Sequence, residues 1–287
     1  MLPTLIEERI KERIKQYDPK TIEDEENVLK EILQEIALYA LATTDFFSKA
    51  LFQGGTALRI LYQLPRFSED LDFILKTPNP AFRWQPYLDN MLKIFEVFGI
   101  TPEVTDRNKL GAAVQTMFLK DNSIGKLLTL QFKHMGNKKL KIKLEIDTNP
   151  PLGSHEENKF LDFPMDYRIS VQDLSSNFAG KCHALLCRPY VKGRDWFDLT
   201  WYLARKVPVN LTFLQNALQQ SGPWAGQFLS VDLPWLFEAV TNKIHEVDWN
   251  AAKSDAIRFV NRPYQDSVNL WGVEFFSEKI KQWGWQG

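Results

Sequence analysis

A glycine pair, Gly54-Gly55, separates an apolar run typical of a β-strand, residues 51–53, from a helical pattern over residues 57–64. Glycines at a strand-to-helix junction allow a tight turn in which backbone N–H groups and the positive end of the helix face the same point. A Walker A loop is excluded, because its closing Gly-Lys-Ser/Thr is absent. The sequence therefore predicts a phosphate-binding turn at Gly54, Gly55 and Thr56, with a turn needed only for packing as the alternative.

Two aspartates, Asp70 and Asp72, lead into the next predicted strand, residues 71–75. Because side chains alternate between the two faces of a strand, both carboxylates project to the same side, about 7 Å apart. Like charges on one face repel each other, and a divalent cation with oxygen ligands relieves that repulsion. The pair predicts a metal site, and a solvated strand end is the alternative that Asp-x-Asp alone leaves open.

The rest of the chain is typical of an α+β protein. Apolar residues recur at helical spacing before residue 41 and over residues 82–98, and alternating residues around Gly136-Asn137 predict a β-hairpin of residues 127–135 and 140–146. Turn-forming residues near 150–164 predict a boundary between an N-terminal domain with a mixed sheet, residues 1–155, and a helical C-terminal domain, residues 156–287. The helices expected after the boundary are residues 171–188, 194–204, 211–220, 234–247 and 273–283.

Charge and cysteine content narrow the functional class. The chain carries 35 basic and 36 acidic residues, which argues against a protein that coats nucleic acid but leaves room for a local basic patch. A charged N-terminus predicts no secretory signal, and the lack of a long apolar run predicts no membrane span. Cys182 and Cys187 match no zinc or disulfide spacing, so we expect buried thiols and a cytoplasmic location.

Residues 52–73, FQGGTALRILYQLPRFSEDLDF, resemble the first motif of the AbiEii/AbiGii toxin family, the nucleotidyltransferase half of type IV toxin–antitoxin and phage-exclusion systems. The family pattern is a Gly-Gly-Thr-x-Leu turn followed by an Arg-x-Ser-x-Asp-Leu-Asp strand. Residues 181–188 and 194–199 resemble two later motifs, Lys…Ala-Leu…Arg and Arg-Asp-x-x-Asp-Leu. The first motif is matched here by Gly54, Gly55, Thr56, Leu58, Arg66, Ser68, Asp70, Leu71 and Asp72.

The resemblance implies a DNA polymerase β-like fold and the transfer of a nucleotide from an NTP, in some members to the acceptor end of tRNA. It also implies a third carboxylate on a neighbouring strand. Glu145 is the expected residue, because it lies between the apolar Leu144 and Ile146 and so points away from the core; Asp147 shares its face and is the second choice. With Asp70 and Asp72, Glu145 would bind two Mg²⁺ ions, and Mn²⁺ would substitute.

Two basic residues of the later motifs, Lys181 and Arg188, are seven apart and so share a helical face. The resemblance implies that they bind the triphosphate across a cleft, with Lys181 also catalytic and with Arg66 and Ser68 assisting; without it, a solvated basic face is the simpler interpretation. Asp195 and Asp198 also share a face, where they would cap the helix, bind Lys181 or orient the substrate.

Three functional classes follow. The first is a toxin that nucleotidylates RNA, with tRNA as the expected acceptor, and has a cognate antitoxin. The second is an enzyme of the same fold that modifies a protein or a small molecule such as an antibiotic. The third is a member that only binds, against which the intact Asp70 and Asp72 argue. A run of lysines on the predicted hairpin fits either a tRNA backbone or a solvated surface: Lys133, Lys138, Lys139, Lys141 and Lys143.

Overall fold

The first two helices form where apolar residues recur at helical spacing. α1 spans Leu2–Tyr17 and α2 spans Ile22–Ala42. A capping box starts α2: the Thr21 hydroxyl accepts a hydrogen bond from the Asp24 amide, and the Asp24 carboxylate accepts one from the Thr21 amide. This local chemistry fixes where α2 begins, and its apolar side is buried.

The structure is a computed structural model that describes residues 2–106, 114–121 and 140–284. The chain divides into two compact units. The first comprises residues 1–61, 68–150 and 157–171, and the second comprises residues 62–67, 151–156 and 172–287. None of the described helices is both long and apolar enough to cross a membrane.

The first unit is built on a seven-stranded mixed sheet in the order β3-β4-β5-β2-β1-β7-β6. β1 is antiparallel to β2 and parallel to β7, whereas β2 is parallel to β5. The two predicted strands around the glycine pair are therefore confirmed and lie near the middle of the sheet. The strands are β1 (Ala50–Gln53), β2 (Asp70–Leu75), β3 (Glu103–Asp106), β4 (Val114–Asp121), β5 (Leu140–Asp147), β6 (Glu156–Leu161) and β7 (Tyr167–Gln172).

The strand predicted at residues 140–146 is confirmed as β5, but its predicted hairpin partner is wrong. β5 pairs with β2 on one side and with β4 on the other, so both of its edges are occupied. The other predicted arm, residues 127–135, lies outside the described residues. Local alternation revealed the strand, but its pairing depends on contacts that are distant in sequence.

Two strands, β6 and β7, extend the sheet beyond residue 155, where only helices are predicted. The helix expected from residue 171 begins instead at Leu174, where the Asp173 side chain accepts a hydrogen bond from the Ser176 amide. β6 lies at the end of the strand order among the described residues, and Phe160 on it is 74% exposed.

Aromatic side chains fill the core of the first unit. Phe46 begins the short helix α3 (Phe46–Lys49) and is fully buried. Its ring stacks on Trp84 at 5.6 Å and meets Phe73 of β2 edge to face at 5.0 Å. The helix predicted over residues 82–98 is observed as α5 (Gln85–Val97). This cluster holds β2 from the face opposite to its aspartates.

The second unit is helical, as predicted for the C-terminal part of the chain, so the α+β fold is confirmed. Trp196, Trp249 and Phe276 pack against one another in its core, with ring centroids 4.5–5.0 Å apart. Its helices are α6 (Leu174–Cys187), α7 (Gly193–Ala204), α8 (Leu211–Gln220), α9 (Leu233–Glu246), α10 (Trp249–Ile257), α11 (Arg262–Asn269) and α12 (Val273–Gly284).

Replacing the central aromatic of the first unit tests this packing. Phe46→Ala should lower the free energy of unfolding by about 3–5 kcal/mol, because it leaves a cavity between Phe73 and Trp84. Phe160→Ala, on the exposed face of β6, should change it by less than about 0.5 kcal/mol. Urea denaturation of both variants makes the comparison, and equal losses would contradict the assigned core.

Candidate functional site

The Gly54-Gly55-Thr56 turn connects β1 to α4 (Gly54–Tyr62). Gly54 has a φ of 79°, which L-residues rarely adopt. A Cβ on Gly54 would lie 2.6 Å from Asp72 Oδ2, so a side chain would collide with that carboxylate. The Thr56 hydroxyl donates to the Asp70 carbonyl. The turn is therefore packed directly against both aspartate positions, and glycine is required for its approach to Asp72.

The two aspartates share a face of β2, as the alternation predicts. Leu71, between them, is fully buried, whereas Asp70 and Asp72 are partly accessible. In the parallel pairing with β5, Asp70 is aligned with Lys143 and Asp72 with Glu145. The sheet therefore places Glu145 beside Asp72, and it aligns the second choice, Asp147, with Ile74 further along β2.

Lys143 supplies positive charge to this face. Its ammonium lies 2.6 Å from the Glu145 carboxylate, which also accepts a hydrogen bond of 3.2 Å from Thr116 on β4. Burial lowers the pKa of Lys143, but the hydrogen bond to Glu145 and the charges of Glu145, Asp70 and Asp72 raise it overall. All three carboxylates therefore stabilise the charged form of Lys143.

The donor chemistry of this face suits a hard divalent cation. Asp70, Asp72 and Glu145 offer only carboxylate oxygens, which Mg²⁺ and Mn²⁺ prefer. Within the described ranges, no group of three His, Cys, Asp or Glu side chains is already arranged to hold a metal. The residue types suit a metal ion, but in this structure Glu145 forms an ion pair with Lys143.

A second cluster of charges lies in the second unit. Arg66 donates through Nε and Nη2 to the two carboxylate oxygens of Asp198, at 2.6 and 2.7 Å, and its side chain is only 3% exposed. Lys181 lies 2.7 Å from Asp195 and 2.8 Å from Asp198, and Arg188 pairs with Asp195. The expected contact of Lys181 with both aspartates is therefore observed.

These charges support one another. Burial raises the pKa of Asp195, but Lys181 and Arg188 outweigh it and lower the pKa to about 2. Burial lowers the pKa of Lys181, and the charges of Asp195 and Asp198 more than offset that effect. Three cations against two carboxylates leave one positive charge in excess in this cluster.

Several predicted residues have other contacts in the structure. The Arg66 guanidinium also donates to the Phe67 carbonyl at 2.9 Å, and the Ser68 carbonyl accepts from Gln34 at 3.0 Å. Their nucleotide-binding roles stay predictions. Sequence reasoning missed Lys143 as a partner of the carboxylates, although its position two residues before Glu145 on one strand was a usable signal. No sequence signal pointed to Thr116, which β4 brings in from a distant segment.

Residues 36–274 match the family model described as nucleotidyl transferase AbiEii toxin, type IV TA system. No curated protein matches the chain.

The solved structures that are similar to this chain include two from Helicobacter pylori and one from Mycobacterium tuberculosis. A putative nucleotidyltransferase from H. pylori is 18% identical, with 90% of this chain and 91% of that chain covered and a TM-score of 0.49. JHP933 from Helicobacter pylori is 17% identical, with 90% and 88% covered and a TM-score of 0.49. MenT4, a nucleotidyltransferase toxin from Mycobacterium tuberculosis H37Rv, is 15% identical, with 91% and 94% covered and a TM-score of 0.46.

A pair of glycine substitutions tests the packing of the turn against Asp72. Gly54→Ala and Gly226→Ala both place alanine at positive φ, but a Cβ on Gly226 meets nothing within 4 Å. Both variants should lose about 1–2 kcal/mol of unfolding free energy to backbone strain, and Gly54→Ala should lose more because Asp72 must move. Urea denaturation measures the two losses. In an Asp72→Ala background, Gly54→Ala should cost less unfolding free energy than in the wild type, because the carboxylate is absent. Equal losses would refute the contact.

Acid titration tests the cluster around Asp195. Because the pKa of Asp195 falls from 3.8 to about 2 on folding, its charge contributes stability above about pH 4 that is lost as pH falls towards 2. The drop corresponds to about 2 kcal/mol. The stability difference between wild type and Asp195→Asn should therefore be constant from pH 7 to 5 and shrink below pH 4 in urea titrations. The exposed Asp166→Asn is the control, and a pH-independent difference would contradict the assignment.

Proposed function

Since the chain belongs to the AbiEii nucleotidyltransferase toxin family of type IV toxin–antitoxin systems, we propose that it transfers a nucleotide from an NTP to an acceptor hydroxyl at the 3′ end of tRNA. The observation that carries the proposal is the contact of Gly54 with Asp72, beside Glu145 on the next strand. It brings a turn suited to phosphate next to carboxylates suited to a divalent cation.

Each part of this face has a role in the proposal. The backbone N–H groups of Gly54, Gly55 and Thr56, at the start of α4, bind phosphate oxygens of the nucleotide. Asp70, Asp72 and Glu145 would hold Mg²⁺, with two ions expected, and the bound metal would offset charge on the triphosphate and lower the pKa of the attacking hydroxyl. Thr116 orients Glu145 through its hydrogen bond.

The chain's own lysine also takes part. Lys143 offsets part of the negative charge of the carboxylate face, and Glu145 would exchange this lysine partner for a role as metal ligand. Asp147, whose Oδ1 accepts a hydrogen bond of 2.8 Å from the Asn149 amide, supports the end of β5. Lys181 and Arg188 contribute positive charge to phosphate groups, with Asp195 and Asp198 fixing their positions.

The choice of tRNA rests on the family and on charge. A near-neutral chain suits a small contact with the acceptor end, with an affinity that falls only moderately as salt rises. Of the lysine run on the predicted hairpin, Lys133, Lys138 and Lys139 lie outside the described residues, Lys141 is exposed, and Lys143 pairs with Glu145. The proposed action is cytoplasmic, and a type IV system implies a cognate antitoxin as partner.

Removal of either aspartate tests the reaction. Asp70→Asn and Asp72→Asn should each lower transfer at least about 100-fold, because the cation loses a charged ligand, while thermal unfolding stays cooperative. The assay incubates the protein with total RNA and each labelled NTP in turn, with Mg²⁺ or Mn²⁺, and both metals should support labelling. The exposed Asp166→Asn should keep full activity.

The labelled product decides between the acceptor classes. Label on tRNA supports the proposal, and expression of the wild type, but not of Asp72→Asn, should then slow growth. Label on protein or on a small molecule would replace the RNA acceptor by the second class. Near wild-type activity in either aspartate variant would refute the assigned site.

A further inference from the structure

The second unit contains a cavity of about 150 Å³. It lies where the segment between α6 and α7 passes the C-terminal end of α9. Its charged and aromatic lining comprises Arg188, Tyr190, Lys192, Asp195, Lys243 and Glu246. We call this cavity the Lys192 pocket.

Positive charge is in excess in the Lys192 pocket. Three cations line it against two carboxylates. Asp195 is already paired with Lys181 and Arg188, and Glu246, 66% exposed, lies 3.3 Å from Lys243 at the surface. Among the residues that the structure describes, none accepts a hydrogen bond from the Lys192 ammonium or forms an ion pair with it.

Lys192 is the least compensated of these cations. Burial lowers its pKa; the charge of Asp195 acts in the opposite direction, and the positive charges of Lys181, Arg194 and Arg188 lower it further. A partly buried ammonium without a bonded counter-charge is unfavourable. An anion in the pocket would supply that counter-charge.

Arg188 is positioned to bind the same anion. Its guanidinium is held from one side by the Asp195 carboxylate and lies 5.2 Å from the centre of the Tyr190 ring. A guanidinium fixed by two neighbours loses little conformational freedom when it binds a further group. Its remaining N–H donors match the oxygens of a phosphate.

The size of the pocket limits its ligand. A volume of about 150 Å³ corresponds to roughly five water molecules at about 30 Å³ each. That space accommodates a phosphate group and is smaller than the roughly 300–1,000 Å³ of pockets that enclose whole small molecules. A ligand can therefore place a phosphate inside while the rest of the molecule stays outside.

We propose that the Lys192 pocket binds a single phosphate group through Lys192, Lys243 and Arg188. The phosphate belongs either to a free nucleotide or to an RNA backbone, which present the same oxygens. For Arg188 the inference rests on the proposed function, in which this residue also faces phosphate, whereas the parts of Lys192 and Lys243 hold whether or not the chain transfers nucleotides.

Binding measurements without divalent metal test the pocket separately from the aspartate face. The probes are ATP and a short single-stranded RNA, titrated by calorimetry into the full-length protein at low salt. Lys192→Met keeps the length of the side chain and removes its charge, so it should weaken at least one probe about 10-fold or more. Lys192→Arg should retain most of the binding, and Lys281→Met, exposed on α12, is the matched control with unchanged affinity.

The two probes identify the source of the phosphate. If Lys192→Met weakens only the binding of ATP, the pocket binds the phosphate of a nucleotide. If it weakens the binding of RNA, with or without that of ATP, the pocket binds phosphate groups that RNA also presents. The Tm of Lys192→Met should equal or exceed that of wild type, because an uncompensated charge is lost, which separates a binding role from a structural one. Unchanged affinity of Lys192→Met for both probes, or an equal loss in Lys281→Met, would overturn the proposal.

Discussion

The alternation of side chains along β2 is the constraint on which the first unit depends. Leu71 and Phe73 must enter the aromatic core, so Asp70 and Asp72 are forced together on the opposite face. A slip of one residue in the pairing would exchange the two sets and bury both carboxylates. The packing that stabilises the sheet therefore also concentrates negative charge on one face. Lys143 offsets part of this charge, and Gly54 leaves room beside Asp72 because it has no side chain.

The buried charges of the second unit serve geometry more than stability. Arg66, Lys181 and their two aspartates each lose water on folding, and the mutual attraction of such groups roughly repays that cost. Apolar residues of similar volume would stabilise this region at least as well. What only the charged set provides is orientation: each carboxylate oxygen of Asp195 and Asp198 has a defined partner, so the cations are held in fixed positions.

Local features of the sequence were predictable, and long-range ones were not. The strand, glycine turn, helix and second strand around Gly54 follow from short-range spacing. Helical periodicity places Asp195 and Asp198 on one face, but their contact with Lys181, on another helix, was only one of the alternatives that the sequence left open. The bond between Arg66 and Asp198 joins residues 132 positions apart, and nothing in the local pattern marks it. For the same reason the neighbours of β5 were not foreseen. β7 differs, because its alternation is present in the sequence, but residues 167–170 were assigned to no element and residues 171–172 to the helix that follows.

β6 stands at the end of the strand order among the described residues. A strand at the end of a sheet can pair with a strand of another molecule. The exposed Phe160 would favour such a contact, but charged residues precede it on β6, with Lys159 and Glu157 paired at 3.1 Å on the opposite face of the strand. Each approaching strand would have to strip water from these charges. The charges of β6 thus oppose aggregation at this end of the strand order.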